Sequence, residues 1–211
     1  MRIAVIDYGM GNLRSVSKAL EHVAPGAQID VTADAKKIAM ADKVVFPGQG
    51  AMPDCMRELD ARGLRDAVIH AFHNKPFLGI CIGLQMLFEN SEEGGSKGLG
   101  LFRGVVCRFP SDKMTLAGGV RLKVPHMGWN QVYQSRPHAL WQGIPDGERY
   151  YFVHSYFARP ANSGLISSET EYGVRFACGV ARDNIFAVQF HPEKSATSGL
   201  RLLANFVDWT P

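Results

Sequence analysis

Apolar residues fall along the first half of the chain in two alternating rhythms. Short apolar runs at Arg2–Ile6, 28–31, 43–46 and 76–80 predict strands, and unbroken apolar character suits strands covered on both faces. Between them lie stretches with a helical period. Leu13, Val16, Leu20 and Val23 share one stripe that stops near Pro25-Gly26, and a second helix is predicted over 59–72. Strand–helix alternation implies a parallel sheet flanked by helices. The second half differs. Residues 101–109, 120–124, 129–133, 149–155, 164–168 and 174–180 read as short strands with few helices between, which predicts an antiparallel extension beside the parallel core. Residues 185–190 return to the buried-strand pattern, and Leu200, Leu203, Phe206 and Val207 mark a packed terminal helix over 198–209. The fold class expected is α/β: three layers, with a parallel or mixed sheet flanked by helices and an antiparallel extension in the second half.

Composition narrows the function classes. A length of 211 residues suits one domain, expected to span 1–211, whose core needs no metal or disulfide staple. The 23 Lys and Arg against 20 Asp and Glu leave no basic surplus of the kind that nucleic-acid binding requires. The N-terminus is apolar only as far as Asp7, too short for a secretory signal, and no apolar run approaches the roughly 20 residues of a membrane span. Cys55, Cys81, Cys107 and Cys178 are scattered without CxxC pairs, so free thiols in a cytoplasmic protein are expected. His70 and His73 share a helical face but lack a third ligand, and neither a metal nor a cofactor is expected.

Three short motifs carry chemistry. Gly79-Ile80-Cys81-Ile82-Gly83 has the form of a nucleophile elbow, with cysteine at its apex. The glycines let the chain turn sharply from strand to helix. A helix running on from Leu84 would point its N-terminus at the sulfur, favouring thiolate and offering N–H groups to an oxyanion. Alone, the segment also fits a buried structural cysteine. Phe190-His191-Pro192-Glu193 follows a predicted strand and places a carboxylate two residues beyond an imidazole; alone, it also fits a proline turn. Together the two supply nucleophile, base and orienting group. Pro47-Gly48-Gln49-Gly50-Ala51, after another buried strand, can present a bare backbone N–H to a substrate carbonyl or be a plain turn; it lacks the Lys-Ser/Thr ending of a P-loop. His126 and His154 have no carboxylate two residues away and read as structural or interfacial.

With Leu84-Gln85 extending the elbow, these motifs in this order resemble class I (triad-type) glutamine amidotransferases, whose fold is flavodoxin-like. Within that group the chain is similar, over its whole length, to the glutaminase-subunit family of imidazole glycerol phosphate synthases. The resemblance rests on residues 7–13 (Asp-Tyr-Gly-Met-Gly-Asn-Leu), 124–130 (Val-Pro-His-Met-Gly-Trp-Asn), 151–156 (Tyr-Phe-Val-His-Ser-Tyr) and 189–195 (Gln-Phe-His-Pro-Glu-Lys-Ser). It implies hydrolysis of glutamine to glutamate and ammonia by Cys81, His191 and Glu193. Gly50 and Ile82 are implied at the oxyanion, with Gln85, Glu93 and Ser155 holding glutamine. The implied partner is a (βα)8-barrel synthase (cyclase) subunit, forming a heterodimer. It would join the ammonia to a nucleotide intermediate, giving imidazole glycerol phosphate and AICAR in histidine biosynthesis. Asn12, Trp129, Tyr151 and Lys194 are implied at that interface; for Trp129 and Tyr151 ordinary core packing is the alternative. The family's usual Pro-Gly-Val-Gly is Pro-Gly-Gln-Gly here, which sets Gln49 apart. Apart from the resemblance, the chain shows no second catalytic centre to consume ammonia, which also points to a partner. The rivals are a stand-alone cysteine hydrolase and a non-catalytic binding module on the same fold.

Overall fold

Burial on both faces explains why the early strands read as unbroken apolar runs. In the computed structural model, which describes residues 1–114, 119 and 121–211, the first half comprises β1 (Arg2–Ile6), α1 (Leu13–Val23), β2 (Gln28–Thr32), α2 (Ala35–Met40), β3 (Lys43–Gly48), α3 (Met52–Ala61), α4 (Arg65–Asn74), β4 (Phe77–Cys81) and α5 (Ile82–Gln85). The second comprises β5 (Phe88–Ser91), β6 (Phe102–Arg108), β7 (His126–Gln134), β8 (Glu148–His154), β9 (Tyr156–Pro160), β10 (Ile166–Tyr172), β11 (Val174–Arg182), β12 (Ile185–Val188) and α6 (Ala196–Asp208). Every residue of β3, β4 and β12 is buried.

Among the described residues, nine strands form one sheet in the order β2-β1-β3-β4-β12-β11-β10-β7-β8. The pairings from β2 through to β12 are parallel, and those from β12 outward to β8 are antiparallel. The expected extension is present and grows from β12. A second, three-stranded sheet, β5-β6-β9, packs against it through β9 and β11. Helices α1 and α6 pack on each other, while α2 packs on α4 and α3 on α5.

Several expectations need correction. The helix expected over 59–72 is two helices, α3 and α4, broken at Arg62-Gly63-Leu64. Gly63 takes a left-handed φ of 64°, and the N–H of Leu64 closes the end of α3 on the Leu59 carbonyl at 3.1 Å. Leu59 and Phe72 are both buried although they lie on different helices, so their shared apolar character mimicked one stripe. Residues 163–165 form a 3-10 turn, and β10 starts only at Ile166. Of the strand expected over 120–124, Val120 lies outside the described residues and 121–124 belong to no strand element. The segments α2, β5 and β9 carry no strong pattern: α2 buries only Ile38, and β5 is the short, half-polar Phe-Glu-Asn-Ser. No helix among the described residues is long and apolar enough to cross a membrane.

The topology positions three chain segments at one rim. β4 lies between β3 and β12, with Gly48 opposite Cys81 and Val188 opposite Ile80. The carboxyl ends of these parallel strands therefore bring the glycine loop, the cysteine elbow and the His-Pro-Glu turn together, where α/β sheets gather ligands.

Candidate functional site

Cys81 ends β4 with φ 56° and ψ −112°, a backbone conformation that costs a residue with a Cβ about 1–3 kcal/mol. The expected strained elbow is present. Its glycines are there for contact as well as for turning: a Cβ on Gly83 would drive into the Phe46 carbonyl, and one on Gly79 would come within 2.9 Å of the Ala187 Cβ. The helix expected from Leu84 onward is the single turn α5, which begins at Ile82 and closes with Met86 N–H on the Ile82 carbonyl at 2.8 Å. One turn sums little macrodipole, so its contribution to the sulfur is the first N–H groups, which have no partner inside the helix.

His191 follows β12, and its N–H donates to the Tyr151 carbonyl at 2.9 Å. The 3-10 turn Pro192–Lys194 folds Glu193 back onto the ring, so that Nδ1 lies 2.8 Å from Oε1, with side chains 4% and 1% exposed. An ionised carboxylate only accepts, hence Nδ1 carries the proton and Nε2 is the nitrogen left over. Nε2 is buried and has no hydrogen-bond partner among the described residues. Cys81 lies beside the ring and acts on it electrostatically, outside the geometry of a well-formed hydrogen bond. Burial alone would lower the imidazole pKa; the neighbouring Cys81 sulfur and the Glu193 carboxylate outweigh it and raise the value to about 10. Ser195 braces the turn: its hydroxyl donates to the His191 carbonyl at 2.6 Å and accepts from Tyr151 N–H at 3.0 Å.

Cys81 and His191 open onto a cavity of about 400 Å³. Gly50, Ile82, Gln85, Glu93, Ser155, Tyr151 and Lys194 line it as well, so most of the residues singled out from the sequence converge here. Gln85 donates from Nε2 to the Tyr156 carbonyl and to Gln189 Oε1, both at 2.9 Å, while its own Oε1 is buried without a partner. Glu93 Oε2 accepts the Met52 N–H at 2.8 Å, at the start of α3. In the glycine loop Gly50 takes φ 98°, Tyr8 donates to the Pro47 carbonyl at 2.9 Å, and the Cys55 thiol donates to the Gln49 carbonyl at 3.4 Å. Burial pushes the Cys55 thiol up to about 11, so it stays a donor.

Three of the four interface candidates cluster beside the cavity. The Trp129 ring meets Tyr151 edge-on at 6.2 Å, and Lys194 Nζ lies 5.9 Å above the Tyr151 ring. Trp129 is 49% exposed, so its core-packing alternative is ruled out. Asn12 is not among the cavity residues; it precedes α1 and makes no side-chain cap bond. His126 and His154 face each other across β7 and β8. His154 Nδ1–H must donate to the Tyr156 carbonyl at 2.8 Å, leaving its Nε2 to accept from His126 Nδ1 at 3.0 Å, and His126 Nε2 to accept from Asn130 at 3.3 Å. That relay satisfies two neutral rings, and burial lowers their pKa values to about 4 for His126 and about 3 for His154. Of the two readings, structural or interfacial, their burial fits the structural one. Among the described residues no group of three or more His, Cys, Asp or Glu side chains is arranged to hold a metal.

Sequence reasoning left Gln189 without a role, although it is fully buried and its Nε2 lies 3.7 Å from Cys81 Sγ. A signal was available: it is a polar residue directly after an apolar strand, two positions before His191.

Comparison with known proteins identifies the family. The family described as glutamine amidotransferase class-I matches residues 4–209. The chain is 70% identical over 209 residues to the imidazole glycerol phosphate synthase subunit HisH of Dechloromonas aromatica, covering 99% of this chain and 97% of that one. It is 66% identical to the HisH subunit of Aromatoleum aromaticum, covering 99% of both. The glutaminase domain of a Trypanosoma brucei CTPS shares the fold at TM-score 0.67 and 20% identity, over 100% of this chain and 95% of that one. The chain belongs to the class-I glutamine amidotransferases, in the family of HisH subunits of imidazole glycerol phosphate synthase.

Proposed function

We propose that Cys81, His191 and Glu193 carry the glutamine amidotransferase activity that this chain contributes to imidazole glycerol phosphate synthase in histidine biosynthesis. The observation that carries this reading is the buried imidazole whose Nδ1 is tied to Glu193 while Nε2 is left unpaired beside a cysteine at a strained elbow. His191 Nε2 takes the thiol proton and the sulfur attacks the side-chain carboxamide carbon of glutamine. N–H groups from the elbow at Ile82 and the loop at Gly50 hold the oxyanion. Protonated His191 then gives its proton to the departing amine, releasing ammonia and leaving a γ-glutamyl thioester. Water, deprotonated by His191, hydrolyses the thioester; glutamate leaves and the thiol regains its proton. Glu193 stabilises the imidazolium and holds the tautomer throughout. Gln85, Glu93 and backbone groups around Ser155 hold the glutamine; the free Gln85 Oε1 is an acceptor suited to an ammonium group.

The partner in this reading is a (βα)8-barrel cyclase subunit, which joins the ammonia to a nucleotide intermediate. Trp129, Tyr151 and Lys194, at the cavity mouth, and Asn12 form the docking face. Met127, 62% exposed on the same side of β7 as Trp129, supports that face, since aromatic and Met side chains are favoured interface anchors. The chain acts as one domain over 1–211 in the cytoplasm. Cys81→Ala in the assembled enzyme is expected to abolish glutamine-dependent synthesis while leaving ammonia-dependent synthesis at the parent rate. Glutaminase activity surviving in Cys81→Ala overturns the triad, and strong peptidase activity without a partner favours the stand-alone hydrolase.

A further inference from the structure

We propose that Gln189 stabilises the charged sulfur of Cys81 through an N–H···S contact, as a positioning residue for the nucleophile; this rests on the triad reading above.

The orientation of the Gln189 amide follows from its neighbours. Gln85 places one side-chain atom 2.9 Å from the Tyr156 carbonyl oxygen, which can only accept, so that atom is the Gln85 nitrogen. The same nitrogen lies 2.9 Å from Gln189, so the Gln189 atom that faces it is the oxygen. The Gln189 nitrogen is then the atom directed at Cys81 Sγ, 3.7 Å away. Gln189 is 0% and Gln85 1% exposed, so water cannot compete for either amide. The backbone holds Gln189 too, its N–H donating to the Cys178 carbonyl at 2.8 Å.

A thiol sulfur accepts hydrogen bonds weakly and a thiolate accepts them well, so a fixed donor favours the charged form. The effect is felt whenever the sulfur carries charge. Once His191 has taken the proton, the attacking sulfur is a thiolate, and the Gln189 N–H offsets part of the cost of that charge. In the thioester the charge is gone, and it returns as the sulfur leaves during hydrolysis. Loss of the donor therefore slows formation of the thioester and also weakens the sulfur as the leaving group in its hydrolysis.

The test compares parent, Gln189→Met, Gln189→Glu and Cys81→Ala in the assembled synthase. Methionine fills similar volume without a donor; glutamate keeps an acceptor for Gln85 and places a carboxylate beside the sulfur. Alkylation by iodoacetamide, mapped to Cys81 by mass spectrometry, is followed between pH 6 and 9. Both Gln189 variants are expected to alkylate about tenfold or more slowly at pH 7 and to recover at higher pH, since a hydrogen bond to a charged group is about that strong. The second-order constant kcat/KM for glutamine falls by a similar factor, while ammonia-dependent synthesis is unchanged. A residue that only packs would not displace the pH profile. Parent-like alkylation and kcat/KM in a folded Gln189→Glu overturn the proposal, and that variant decides the matter if Gln189→Met does not fold. If Cys81→Ala is inactive while the Gln189 variants behave like the parent, only this inference fails; if Cys81→Ala stays active, the triad itself fails.

Discussion

His191 is held by two forces that oppose its burial, and this sets its working range. With the sulfur and Glu193 raising its pKa to about 10, the imidazolium that must protonate the departing amine persists well above neutral pH. Glutaminase activity is therefore expected to fall as pH rises toward about 10, where that proton is lost. Glu193→Gln removes one of the upward influences, so the alkaline limb moves to lower pH. The turnover number is also expected to fall by about 10²-fold or more, as carboxylate loss does in comparable triads. A pH–rate profile of the variant with an unmoved limb contradicts the role given to Glu193. At this scale the chemistry was legible early, because Glu193 lies two residues from His191 and local geometry sufficed to join them. Gln189 was not legible as a partner of Cys81, since the two are 108 positions apart and meet only across paired strands.

Glycines decide how the elements join, in two different ways. Gly83 stands where α5 presses against β3, and Gly83→Ala forces its Cβ into the Phe46 carbonyl, a backbone atom that cannot swing aside. A loss of about 3 kcal/mol in urea unfolding is expected, with glutaminase activity lost as the elbow shifts. Gly63, at the break between α3 and α4, has open space around its missing Cβ and only the left-handed φ to satisfy. Gly63→Ala is expected to cost about 1 kcal/mol and leave activity intact. Equal losses at the two positions would mean that backbone conformation alone matters at the elbow. Apolar spacing does not distinguish one long helix from two that bury the same side, which is why the break at Gly63 escaped the hydrophobic pattern.

Across the whole molecule, histidines shape the response to acid. Burial lowers His126 and His138 to about 4 and His154 to about 3. Below about pH 6.5 the unfolded chain binds protons at these positions that the folded chain refuses, so stability falls as pH drops from about 6.5 through 4. His191 has the opposite sign: its stabilisation is complete below about pH 6.5 and is lost as pH rises toward about 10. A melting temperature that declines steadily between pH 7 and pH 5 is expected. A flat melting temperature over that window contradicts the neutral His126–His154 relay.

The sequence by itself determined the alternation of buried strands and helices, the cysteine elbow, the His-Pro-Glu turn and the glycine loop. Each is written in contiguous residues: a run of apolar side chains, a glycine where no Cβ fits, a carboxylate two positions from an imidazole. Tertiary structure alone decided that β12 pairs with β4 and so brings His191 beside Cys81, that Gln85 turns the Gln189 amide toward the sulfur, and that His126 and His154 neutralise each other's polarity across β7 and β8. These are matters of strand order and register, which arise from burying the whole set of apolar faces at once and leave no trace in any one stretch of chain.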